Sequence, residues 1–229
     1  MDTRNKYIVF DLDDTLYWEI DFLKSAFQEI ASHVSPEEGI YEKMLALYEA
    51  KENAFEFLES VYHFPKEKSL EIYRNHFPRI VLNDGALVLL NLCEKHNYKM
   101  GLLTDGRSIT QRNKIKALNI EPYFAKIIIS EEFGSTKPSL ANYEIFLEDE
   151  RQGDSQFYYI ADNPSKDFVS ANQLGWNTIC LIGNEKNIHP QSFDFNTVFL
   201  PKYKVNNFEE IIGLLFPGLV MEKSLIDLQ

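Results

Sequence analysis

The chain has 229 residues, 45% of them hydrophobic, and its 23 basic and 35 acidic side chains give a formal charge of −12. That length buries a proper core in one large or two smaller domains. The acidity argues against nucleic acid and anionic membrane as partners, both of which call for basic surfaces.

No apolar run reaches the roughly 20 residues of a membrane span, and the polar start, residues 1–6, lacks the layout of a secretory leader. The expected setting is cytoplasmic. Cys93 and Cys180, far apart in sequence, read as small buried hydrophobes in a reducing compartment.

In chain order, the first expected element is a buried strand over residues 7–10, which runs straight into Asp11, Asp13 and Asp14. Like charges this close repel, and a carboxylate beside a core loses hydration that only a partner replaces. A fold built only for stability would avoid the arrangement, so it reads as a site. Residues 17–82 then show helical patterns alone, at 22–33, 37–51, 53–62 and 66–77, as an insertion after the first strand. Its aromatics, Phe27, Tyr48 and Phe55 among them, fall partly at helical spacing and are expected to fill the insertion's own core. The turn "NDGA" at 83–86 returns the chain and, with residues 17–20, forms a candidate hinge.

Short apolar runs then alternate with amphipathic segments. Helices are expected at 86–96, 109–118, 141–150, 167–174 and 207–216. Strands are expected at 99–103, 127–129, 157–160 and 178–182, with 198–200 as one more edge. Strand, helix, strand, repeated, predicts an α/β fold: a parallel sheet with helices on both faces. The final "GLVMEKSLIDLQ" either packs back, pairs with another subunit or stays mobile.

Ligands of open α/β sheets sit at the carboxyl ends of the strands. The residues following the strands there are Asp11 and Asp13, then Thr104 and Asp105, then Lys137, then Asp162 and Asp167. Acids, a hydroxyl and one lysine suit a hard divalent cation plus a phosphoryl group. Asp11 is the candidate nucleophile, giving an aspartyl phosphate that water hydrolyses. Asp13 is the candidate general acid and base, and crowding by its neighbours is expected to keep it protonated near neutral pH. Thr104, the amide of Asp105, and Lys137 would hold the phosphoryl group. Mg²⁺ would take the side chains of Asp11 and Asp162 and the backbone carbonyl of Asp13, with Asp167 as a direct or supporting partner. Asp14 reads as a solvated or helix-capping acid. The five histidines, His189 included, show no paired metal spacing and read as ordinary surface or half-buried residues.

"DLDDT", "LLTDG", Lys137 before Pro138, and "IADNPSKD" together resemble the four motifs of the haloacid dehalogenase superfamily, in order and each after an expected strand. One such motif is weak; four in order are specific. The resemblance covers residues 5–16 and 84–200, and the insertion is similar in position to that family's C1 cap. It implies a Rossmann-like core of residues 1–16 and 84–229, a helical cap of residues 17–83, Mg²⁺ dependence and aspartyl-phosphate chemistry. The presence of Asp13 favours phosphoryl transfer over dehalogenation. Two departures stand out: Asp105 replaces the usual small polar residue or asparagine, and Ala161 replaces a frequent glycine. The expected activity is a phosphatase of a small phosphorylated metabolite; the alternatives are a phosphomutase and a non-catalytic binding module.

Overall fold

The computed structural model describes residues 5–35, 39–148, 155–183 and 185–218. Six strands form one parallel sheet in the order β3-β2-β1-β4-β5-β6: β1 (Lys6–Phe10), β2 (Lys99–Thr104), β3 (Lys126–Ile129), β4 (Gln156–Ala161), β5 (Asn177–Leu181) and β6 (Tyr203–Val205). The most buried strand is the earliest of these six in the chain. In β1, Phe10 lies beside Leu102 on one flank and Ile160 on the other, and Tyr7 through Phe10 are wholly enclosed.

Alternation along β1 explains its unbroken apolar run. Ile8 and Phe10 face a cluster with α5 (Ala86–Lys95), α6 (Ser108–Ala117) and α10 (Phe208–Leu215). Tyr7 and Val9 face another, with α8 (Ala141–Leu147) and α9 (Phe168–Gln173). A strand covered on both faces has no side that favours polar residues. Both cysteines are buried and unpaired in these clusters.

Gly101 in β2 makes one of these packings possible. A Cβ there would lie 2.5 Å from Cε1 of Phe146 and 3.3 Å from Cε1 of Tyr7. Two rings in a dense core have little room to yield. Gly101→Ala should therefore cost about 1–3 kcal/mol, read as a lower urea midpoint with an unchanged slope.

Between β1 and α5 stand four helices, α1 (Glu19–Val34), α2 (Ile40–Glu49), α3 (Ala54–Tyr62) and α4 (Lys66–Asn75). They bury a cluster of their own around Leu23, Phe27, Ile30, Met44 and Leu58. Phe27 meets Tyr48 and Phe55 edge-on, so these aromatics fill the insertion's core, as their spacing predicts. Where the chain leaves and re-enters the sheet, the two crossings are tied together. Asn83 donates its backbone N–H to the Leu16 carbonyl at 2.8 Å and its side-chain amide to the Thr15 carbonyl at 2.9 Å. Gly85, at φ 83°, then turns the chain into α5; a Cβ there would meet Phe208 at 2.8 Å.

The sheet edge differs from expectation. Residues 197–199 form a 3₁₀ turn rather than a strand, started by the Asn196 side chain accepting from the Val198 N–H. Pro201 follows at once and has no N–H to give a ladder. The edge strand lies further on, at β6. A short helix, α7 (Ser130–Phe133), directly after β3 was not foreseen. The tail from residue 219 and the predicted end of α8 at 149–150 lie outside the described residues. Among the described residues no helix is long and apolar enough to cross a membrane.

Candidate active site

Strands β1, β2 and β3 step outward in one direction, and β4, β5 and β6 in the other. The reversal falls between β1 and β4, and such a switch point opens a crevice at the carboxyl ends of the strands. Asp11 follows β1 directly, held by its N–H to the Ile160 carbonyl at 2.9 Å, and Asp162 follows β4. Thr104 ends β2, and Asp167 precedes α9. Lys137 arrives from the loop after α7. The sheet thus gathers residues that are far apart in the chain.

Lys137 is the centre of charge compensation. Its ammonium lies 2.8 Å from Asp11 and 2.7 Å from Asp167, and it donates to the Tyr159 hydroxyl at 3.3 Å. Its side chain is wholly buried, so it sits beneath the acids rather than in the cavity wall. Asp11, Asp162 and Asp167 each bring a carboxylate oxygen within 4.8 Å of the others, all three residues buried. Burial, opposed by Lys137 and reinforced by Asp167, pushes the Asp11 carboxyl up to about 7. Burial and the charges of Asp167 and Asp11 raise Asp162 well above its ordinary range. One lysine for three buried carboxylates leaves excess negative charge between hard oxygen donors, a set that fits a divalent cation such as Mg²⁺.

Asp13 corrects an expectation. Its carboxylate does not share a proton with neighbouring acids; it is turned away toward α6. Oδ1 accepts from Lys114 at 2.6 Å and from the Tyr17 hydroxyl, and Oδ2 accepts from the Gln111 amide at 2.8 Å. Burial pulls its proton affinity up, but the Lys114 ammonium and these hydrogen bonds outweigh it and hold the carboxyl below its usual range. The acids that crowding and burial do raise are Asp11, Asp14, Asp162 and Glu19. Gln111 also donates to Thr104 Oγ1 at 2.6 Å, which leaves the buried threonine hydroxyl its own proton to give.

The departure at Asp105 is accommodated locally. Its Oδ1 accepts from the Lys137 backbone N–H at 3.0 Å, and Oδ2 lies 3.5 Å from the Lys166 ammonium. Asp14 is buried, not solvated. It adopts φ 54° and accepts from the backbone of Glu19 at 2.9 Å, which caps α1, and from Ile188 at 3.0 Å. Asp167 likewise accepts from the Asn163 N–H at 3.0 Å, which fixes the turn ahead of α9.

A cavity of about 110 Å³ opens on this edge, and Asp11, Asp13, Asp105 and Asp162 reach its wall. So do Glu19, Asn163, Lys166 and His189, which sequence reasoning did not single out. Lys166 stood inside the quoted fourth motif. Gln111 and Lys114 are spaced i, i+3 on the helix that follows Thr104, which places them on one face. His189, expected to be ordinary, comes from a loop whose path no local pattern predicts.

The haloacid dehalogenase-like hydrolase profile matches residues 8–181, and the chain belongs to that family; it is a hydrolase by lineage. Glyceraldehyde 3-phosphate phosphatase of Methanocaldococcus jannaschii is 26% identical, over 92% of this chain and 96% of that protein. Pyrimidine 5'-nucleotidase PynA of Streptococcus pneumoniae is 23% identical, over 92% of this chain and 94% of that protein. Among solved structures, the HAD-hydrolase YfnB of Bacillus subtilis, bound to magnesium, superposes with a TM-score of 0.66 at 18% identity. That match covers 93% of this chain and all 100% of YfnB, a likeness of fold.

Proposed function

We propose that the protein is a Mg²⁺-dependent phosphatase of a small phosphorylated metabolite, working in the cytoplasm through an aspartyl phosphate on Asp11. The observation that carries this reading is Asp11 itself. It stands at the switch point of the sheet, opens on the cavity, and has Lys137 beneath it and Asp162 beside it. The full-length similarity to two phosphate-ester hydrolases supports it.

An Asp11 oxygen forms a bond to phosphorus as the ester oxygen departs, and the departing alkoxide takes a proton from Asp13. Water then attacks the same phosphorus, its proton passes to Asp13, and Asp11 is released. Asp13, unprotonated while it holds Lys114 and Gln111, serves this role by leaving them as substrate binds and taking up a proton from solvent before it meets the leaving oxygen. The Thr104 hydroxyl and the Asp105 amide orient the phosphoryl oxygens, and Lys137 lowers the cost of negative charge under the nucleophile. Asp11, Asp162 and the Asp13 carbonyl would hold Mg²⁺, with Asp167 in support; when bound, the ion neutralises phosphoryl oxygens that would otherwise repel a carboxylate. Residues 17–83 form the cap over this edge, and the paired crossings at Thr15, Leu16 and Asn83 are its hinge.

Phosphate release from a panel of phosphorylated sugars, nucleoside monophosphates and small acids tests the reading. Activity should vanish in EDTA and return with added Mg²⁺. Release that is indifferent to EDTA would overturn the metal assignment, and no release from any compound would overturn the phosphatase.

A further inference from the structure

The surroundings of the leaving group carry information about the substrate. Six of the nine residues lining the cavity are carboxylic acids, and only Lys166 and His189 bring basic groups to the wall. Lys166 already stands against Asp105. The cations below the wall are committed as well, Lys137 to Asp11 and Asp167, Lys114 to Asp13.

Glu19 adds a second observation. The insertion contributes it as the first residue of α1. Asp14 caps its backbone N–H, and among the described residues no hydrogen bond or ion pair engages its own carboxylate. An ordinary helix-terminal acid turns to water, whereas Glu19 lines the cavity. Burial and the nearby Asp13 charge push its carboxyl up to about 8, so the charged form prevails only above that pH. It presents acceptor oxygens, with their hydrogen-bonding capacity unfilled, to whatever group is attached to the phosphate.

Resting on the phosphatase reading above, we propose that the substrate is the phosphate monoester of an uncharged or cationic hydroxyl compound. Glu19 accepts hydrogen bonds from its hydroxyl or amine hydrogens. A second phosphate or a carboxylate on the leaving group meets Glu19, Asp14 and Asp105 instead, a repulsion that added salt weakens as the ester enters from solvent. Selection here works by rejecting the wrong charge as much as by holding the right one.

The test is a matched pair of substrates, glycerol 3-phosphate and 3-phosphoglycerate, which differ by an alcohol or a carboxylate at the far end. p-Nitrophenyl phosphate serves as an independent reporter of phosphatase activity. At a pH above about 8, where Glu19 is charged, wild type should show kcat/KM at least about tenfold higher for glycerol 3-phosphate at low ionic strength, a gap that narrows in high salt. Glu19→Gln should narrow it too, chiefly through a lower KM for 3-phosphoglycerate. Equal values in wild type, or a gap that neither salt nor Glu19→Gln moves, would overturn the assignment. Failure on all three compounds would overturn it together with the phosphatase reading. Hydrolysis of p-nitrophenyl phosphate with no preference within the pair would overturn the leaving-group assignment alone.

Discussion

Asp11→Asn should lower Mg²⁺-dependent phosphate release by at least about a thousandfold while leaving the fold intact. Asparagine keeps the volume and can still accept from Lys137, but it cannot form the acyl phosphate on which both proposed half-reactions depend. Stability should move the other way. Burial raises the Asp11 carboxyl to about 7 from its ordinary 3.8, so the folded state binds its proton more tightly than the unfolded chain does. A group of that kind contributes most below its unfolded value and loses its contribution as pH rises through about 7. Metal-free wild type should therefore lose stability relative to Asp11→Asn between pH 5 and pH 8. Thermal melts of both proteins in EDTA across that range check the sign, and a near-normal turnover in the variant would remove Asp11 as nucleophile.

Lys137→Met should be the most damaging change to the fold. Its ammonium is enclosed between Asp11 and Asp167, so its removal leaves buried charge with no counterion. Breaking such a pair typically costs about 3–5 kcal/mol. For a chain of this size that is a fall of roughly 6–20 °C in melting temperature. Burial favours the neutral acids, so the deficit should be larger at pH 8 than at pH 5, where protonation relieves it. Turnover should be lost as well. A variant that melts like wild type at pH 8 would mean that the three carboxylates are compensated by some other group.

The sheet was legible because its strands are enclosed on both faces. Runs such as "YIVF" and "YYIA" have no polar alternation to confuse, and the acids that break them mark the strand ends. The edge was read wrongly, at 198–200 instead of β6, because "YKV" pairs on one flank only and keeps its lysine. Short edge strands carry little hydrophobic signal. That Asp11, Thr104 and Asp162 would gather at one edge of the sheet was legible for the same reason as the strands: they stand where apolar runs stop. The partners of Asp13 were not, because Gln111 and Lys114 meet it only through the packing of α6 against the sheet, which no spacing within "DLDDT" contains. That packing also reversed the expected protonation of Asp13. Crowding in sequence is not crowding in space once a lysine is brought between.

The central place of β1 has a bearing on how the protein is made. Of the six strands, the one that leads into Asp11 is synthesised earliest, yet both strands that flank it, β2 and β4, come much later. The repulsive cluster comes into being only when Asp162 and Asp167 join, by which time Lys137 has already been translated. Parallel pairing across such separations is slow, and chains halted before β4 lack two acids of the proposed site, Asp162 and Asp167. Regained phosphate release after refolding would thus report assembly of the sheet from β2 to β4, something far-ultraviolet helicity, dominated by α1 to α4 and their fellows, would register too early.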